Sequence, residues 1–175
     1  PSQMFNAIDS VPLTAIAFFM LTGELMTSAT ITDRLVALSR ALIGRIRGGL
    51  AQVNVLVSMF FAGMNGSVVA DTATVGALVL PAMKKAGYPA AFSAAVTGVS
   101  STIGGIIPPS IMMIVLANST EISIAALFAA GIIPGVLIGI VIMIINHYFA
   151  IKYNFERSDE PFSIRRAGKE LYRSS

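Results

Sequence analysis

The chain has 175 residues, 55% of them hydrophobic and 12% charged, with a formal net charge of +3. A soluble domain carries about 25% charged residues, so this composition, with a mean hydropathy of +0.78, excludes a soluble globular protein and indicates an integral membrane one. Cysteine is absent, which removes disulfides and thiolate metal sites, and the basic residues end apolar runs, where they orient a chain in a membrane rather than bind nucleic acid.

The sequence opens at Pro1 with no initiator Met and no signal-peptide pattern, which leads one to expect a piece of a longer polypeptide. Residues 1–30 read as a spanning helix. Their apolar stretch 11–30, "VPLTAIAFFMLTGELMTSAT", is about long enough for a hydrocarbon core of roughly 30 Å. Residues 31–48 then place Leu35, Leu38, Leu42 and Ile46 on one helical stripe, flanked by Arg34, Arg40, Arg45 and Arg47. This pattern predicts an amphipathic helix lying in the membrane interface; a solvated helix between two spans is the alternative. Residues 49–85 carry a single charge, Asp71, before Lys84, and a turn signal, "GMNGS", at 63–67. The charge-poor stretch from 48 to 83 gives about 54 Å of helix, short of the roughly 60 Å that two crossings and a turn require. A re-entrant hairpin with its tip near the membrane middle is expected, with two short spans as the alternative.

Residues 86–118 read as one broken spanning helix. Apolar runs at 88–103 and 109–117 are interrupted by "SSTIGGIIPPS" at 100–110, poor material for a helix interior. Residues 119–131 predict a short outer-face interfacial helix with Ser119 or Thr120 as its N-cap. Residues 132–151 predict a last span, and 152–175 a cytoplasmic basic loop. All twelve Lys and Arg fall within 34–47, 84–85 and 152–173. A single crossing by 86–118 puts all three clusters in the cytoplasm; two crossings would send the basic tail outside, against the positive-inside rule.

The interruption carries chemistry. Pro108 and Pro109 supply no amide donor, which leaves carbonyls near Gly104 to Ile107 without helical partners. Irregular backbone at membrane depth persists only where protein or a wet cavity satisfies it. Free carbonyls held together can replace the water shell of a sodium ion, and the hairpin tip Asn65-Gly66-Ser67 can add oxygens from the opposite side. Broken helices whose ends meet at a midplane site are a recurring device of secondary transporters. A Cβ at Gly104 is expected to distort such a turn. Asp71, about one turn past the tip, either neutralises and braces the ion site or caps the returning limb through Thr72 or Thr74. Ser67, Ser100, Ser101 and Thr102 either line a substrate path or serve as helix–helix glue. No catalytic residue is expected, because the lone His147 is far in sequence from every candidate nucleophile.

Three blocks, "GMNGSVVADTATVGALVLPAMKKAGY" (63–88), "SSTIGGIIPPSI" (100–111) and "SIAALFAAGIIPG" (123–135), together resemble the large membrane subunit of TRAP transporters, the tripartite ATP-independent periplasmic transporters. The resemblance covers about residues 11–147. It implies an all-α integral membrane fold of spanning helices, a re-entrant hairpin and a broken helix, forming half of an inverted-repeat, elevator-type transporter. The implied function is sodium-coupled uptake of a carboxylate-bearing organic solute, such as a dicarboxylate or a sialic acid, across the bacterial inner membrane. The implied partners are a periplasmic solute-binding protein, a small membrane subunit and the remaining half of the large subunit; the only cofactor is sodium, as coupling ion. Its sodium site would fall on Asn65, Gly104, Ile107 and Pro109, with Gly66, Asp71 and Gly105 in support. Asn65 stands where that family commonly has Ser, and "VLANST" (115–120) replaces a segment that often contains Tyr-Gly. The chain corresponds to the first repeat, so a second sodium site and part of the substrate site belong to the other half. Another sodium-dependent carboxylate carrier that needs no binding protein, a channel, and a non-transporting membrane scaffold are the alternatives.

Overall fold

A computed structural model describes residues 31–43 and 46–155, together with Thr14, residues 16–18 and 20–22, and Leu25. Most of the expected first span, Glu24 and the tail beyond Phe155 lie outside the described residues. Six α-helices and one 3₁₀ turn make up the ordered elements there: α1 (Ile31–Ile43), α2 (Gly49–Asn65), α3 (Val68–Lys85), α4 (Ala90–Ser101), a 3₁₀ turn (Thr102–Gly105), α5 (Ile111–Thr120) and α6 (Ile124–Lys152). The fold is all-α.

Local chemistry sets most of these boundaries. Gly66, with φ 59°, closes α2 by donating its amide to the Ala62 carbonyl, a left-handed cap that glycine adopts at least cost. One residue later Ser67 starts α3, its hydroxyl accepting from the Ala70 amide at 3.3 Å. Pro89 sits at the N-cap of α4, where a missing amide costs nothing. Beyond the break, Ser110 caps α5 by accepting from the Met113 amide at 3.3 Å.

The helix after the break departs from the expected layout. Ser119 and Thr120 do not cap a new helix; they close α5, their hydroxyls donating back to the carbonyls of Val115 and Leu116 at 2.9 and 2.7 Å. Ser123 is the actual N-cap, accepting from the Ala126 amide. From Ile124 the helix then runs 29 residues without interruption to Lys152, so 124–131 and 132–151 are one element. Pro134 lies inside this helix, on its exposed face, and does not divide it.

α2 is the hub, packed against α1, α3, α4, the 3₁₀ turn and α6. Ala51, Val55, Val57, Phe61 and Ala62 are fully buried along it. At one end of the bundle a Cβ added to Gly48 would come within 2.5 Å of the Ala150 side chain. Tyr88 and Phe155 pack there too, their rings tilted with centroids 4.7 Å apart, with Phe92 beside Phe155 at 5.1 Å. These contacts gather Arg47, Lys84, Lys85 and Lys152 around the same end. α6 leaves most of its surface open: Ile133 is 75% exposed. It is also long and apolar enough to cross a membrane.

Candidate functional site

The turn between α2 and α3 meets the break between α4 and α5 face to face. The Ile111 amide donates to the Gly66 carbonyl at 3.3 Å, and a Cβ on Gly66 would collide with the Pro109 carbonyl and reach within 3.0 Å of Ser110 Cα. The tip therefore needs glycine twice, for its positive φ and for this approach. Gly104 tolerates more than expected: a Cβ there would lie 3.7 Å from the Val68 amide nitrogen, an ordinary contact. The glycine this site cannot lose is Gly66 rather than Gly104.

The break is held in shape from three sides. The Ile106 and Ile107 amides both donate to the Ile103 carbonyl at 2.9 Å, Ser110 Oγ donates to the Gly105 carbonyl at 2.8 Å, and the Pro108–Pro109 peptide bond is cis. Gly105 is thus not a free carbonyl; Ser110 has taken it. Among the described residues no hydrogen bond ends on the carbonyls of Ile106, Ile107, Pro108 or Pro109. On the third side α6 presents Gly131 and Gly135, one turn apart, while Gly139 a turn further on faces Met59 of α2. A Cβ on Gly131 would come within 2.5 Å of the Ile106 carbonyl oxygen, and one on Gly135 within 2.5 Å of the Ile107 side chain. The long helix can lie this close to irregular backbone only because these positions have no side chain.

Asn65 is buried at the tip, its Oδ1 accepting from the Ser67 amide at 3.1 Å. That bond uses one lone pair of the amide oxygen and leaves the other. Tip and break thus bring Gly66 against Pro109, and Ser67 and Val68 against Gly104 and Gly105, with Ile107 between the break and α6. Such an arrangement of backbone and amide oxygens is suited to a hard cation.

The four hydroxyl residues expected near a substrate path separate. Ser67 is the cap of α3. Thr102 is exposed and donates to the Val99 carbonyl of its own helix at 2.7 Å. Ser100 and Ser101 are fully buried and belong to a polar cluster among α2, α3 and α4 that no motif announced. In that cluster Asn54 Nδ2 donates to Thr97 Oγ1 at 2.7 Å, Ser100 Oγ to Asn54 Oδ1 at 3.2 Å, and Ser58 and Ser100 hydroxyls lie 3.1 Å apart. Gln52 adds a link to α6, donating to the Met143 carbonyl at 2.8 Å. The signal was present in the sequence: Gln52, Asn54 and Ser58 are the three polar side chains in the otherwise apolar run 50–64, and polar groups in such a run need partners.

Asp71 stands at the edge of that cluster and is fully buried. Its expected alternative role as a cap is filled by Ser67, and Thr72 donates to the Val68 carbonyl instead. The hydroxyls of Ser58 and Ser101 lie beside the carboxyl, yet neither carboxyl oxygen completes a hydrogen bond, and Ser101 Oγ has no partner either.

With this geometry in view, comparison with known proteins becomes informative. A family profile described as "Tripartite ATP-independent periplasmic transporter, DctM component" matches residues 1–174. The chain is 41% identical over 148 residues to the C4-dicarboxylate TRAP transporter large permease protein DctM of Pseudomonas aeruginosa, covering 85% of this chain and 35% of that protein. It is 39% identical over 153 residues to the sialic acid TRAP transporter large permease protein SiaM of Vibrio cholerae, covering 87% and 36%. To the 2,3-diketo-L-gulonate TRAP transporter large permease protein YiaN of Escherichia coli it is 41% identical over 157 residues, covering 90% and 37%. The chain thus spans little more than a third of the length of these relatives. It belongs to the DctM component family of the tripartite ATP-independent periplasmic transporters, a family of membrane permeases.

Proposed function

We propose that this chain is the first-repeat portion of a large permease subunit that takes up a carboxylate-bearing organic solute by sodium symport. The observation that carries the reading is the meeting of the hairpin tip at Gly66 with the break at Pro109 and Ser110. A structural spanning helix has no use for an interruption of this kind, whereas an ion site needs the oxygens it frees. Asn65, Gly104, Ile107 and Pro109 hold the sodium, with Gly66, Gly105 and Asp71 shaping its surroundings. The solutes named for the three relatives above, a C4-dicarboxylate, sialic acid and 2,3-diketo-L-gulonate, bear carboxylates, which supports that substrate class, although a further relative is named for the sulfonate isethionate. A periplasmic binding protein delivers the solute, and a small membrane subunit and the second half of the permease complete the carrier.

Helix lengths support a re-entrant α2–α3 hairpin. α2 has 17 residues, about 26 Å, less than the roughly 30 Å of a hydrocarbon core. α4 and α5, with 12 and 10 residues, add to about 33 Å, one crossing interrupted in its middle. The basic residues gathered at one end of the bundle face the cytoplasm of a bacterial inner membrane. Transport then moves the packed hairpin and broken helix together, as an elevator.

Uptake by the complete transporter, reconstituted in vesicles with its binding protein, tests this reading. Uptake should follow the sodium gradient, respond to voltage at about 2.3 kcal/mol per charge per 100 mV, and cease without the binding protein. Gly66→Ala should raise the half-saturating sodium concentration while Ile106→Val leaves it unchanged. Uptake indifferent to sodium would overturn the reading, and uptake without the binding protein would favour a carrier of another kind.

A further inference from the structure

The buried cluster around Asp71 is short of one positive charge. Counting hydrogens shows why. Asn54 spends one amide hydrogen on Thr97 Oγ1 and points the other at Met83 Sδ, and Thr97 spends its own on the Ser93 carbonyl at 2.9 Å. Ser100 has a single hydrogen, directed at Asn54 Oδ1 and the Thr97 carbonyl. The Ser58 and Ser100 hydroxyls lie 3.1 Å apart, and either can donate to the other. Each completed hydrogen bond in the cluster thus ends on a group other than Asp71. Ser101 is left as a single hydroxyl for two carboxylate oxygens, and all three of those atoms are buried without a partner.

A buried carboxylate with neither a counter-charge nor donors costs several kcal/mol, and Asp71 has no basic residue near it in sequence: the nearest, Lys84, lies at the far end of α3 and is exposed. What the site offers is oxygen. Two carboxylate oxygens and the hydroxyls of Ser58 and Ser101 face one another among helices α2, α3 and α4. Among the described residues no three His, Cys, Asp or Glu side chains converge, so the donor set is one negative charge with neutral hydroxyls. That combination matches a hard monovalent cation rather than a divalent or transition metal.

We propose that Asp71, Ser58 and Ser101 seat a sodium ion of their own, separate from the carbonyl site between the hairpin tip and the break. The choice of sodium rests on the reading of the chain as part of a sodium-coupled carrier; the need for a cation rests on the buried, unpartnered oxygens of Asp71 and Ser101. Occupation fastens α3 to α2 and α4 one turn behind the tip, so this ion closes the hairpin onto the broken helix and favours the geometry of the carbonyl site.

Melting of the purified, complete transporter tests the proposal, titrated with sodium chloride against choline chloride at constant ionic strength. Three variants are compared with the unmutated protein: Asp71→Asn, Ser101→Ala and Gly66→Ala. Ser101→Ala should raise the half-saturating sodium concentration about tenfold, equivalent to about 1.4 kcal/mol. Asp71→Asn should lose that part of the sodium response and melt above the unmutated protein in choline, because a neutral amide needs no cation. If Asp71→Asn does not fold, Ser101→Ala, which keeps the charge, decides alone. Sodium titrations unchanged in both variants would overturn the site, as would an unmutated protein whose melting responds to pH and not to sodium, since a proton would then fill the seat. A shift in Gly66→Ala alone would leave the carbonyl site standing and remove this one. Shifts in Asp71→Asn and Ser101→Ala with Gly66→Ala unaffected would do the reverse.

Discussion

α2 and α6 are both apolar around their whole circumference, yet one is wrapped in protein and the other is bare. Ala51, Val55, Val57 and Phe61 of α2 are fully buried, whereas on α6 Ile133 is 75% and Ile144 63% exposed. An all-round apolar helix belongs either in a large core or in a membrane, and hydropathy does not separate the two. Sparse residues do. α2 carries Gln52, Asn54 and Ser58, which bond to α4 and α6, while half of the buried positions of α6 are glycines, at 131, 135 and 139. In surroundings as apolar as the side chains themselves, close packing and hydrogen bonds decide which face meets protein. Large aliphatic side chains then fall to the face left for lipid.

The comparison breaks most readily at Phe61, fully buried at the hub. Phe61→Ala should destabilise the folded protein by about 3–5 kcal/mol, read as a loss of thermal stability in detergent. A loss below about 1 kcal/mol, the size expected of a surface position, would mean that α2 is not enclosed. Gly131→Ala sharpens it from the α6 side. The new methyl would meet the Ile106 carbonyl and the Met113 side chain, at 2.5 and 2.6 Å, and overpacking of this kind costs about 1–3 kcal/mol. Its mark should be lower stability together with weaker sodium dependence of uptake, since the carbonyl beside it must move. The smallest effect belongs to the bare face of the same helix. Ile144→Val should change stability by less than about 0.5 kcal/mol in the same melting assay; a larger loss would show that a protein neighbour covers that face in the complete transporter.

Several features were readable because their causes are local. Gly66 and Ser67 end one helix and begin the next through their own backbone and hydroxyl chemistry, and two consecutive prolines cannot continue a helix whatever surrounds them. The hairpin turn at 63–67 and the break at 104–110 followed from such signals. The N-cap near residue 120 was misplaced because Ser119, Thr120 and Ser123 are chemically alike. Which of them caps depends on where α5 releases the chain, at Glu121 with φ 57°.

By itself the sequence determined that this is an all-α membrane protein and where its helices are interrupted. Tertiary structure alone decided which glycine the site depends on, that Ser110 occupies the Gly105 carbonyl, and that Ser58, Asp71 and Ser101 come together from three helices. A cap or a break acts within a few residues and leaves its mark in the order of amino acids. A close approach between backbones, or the number of hydrogens available to a buried carboxylate, depends on elements distant in sequence and exists only once they pack.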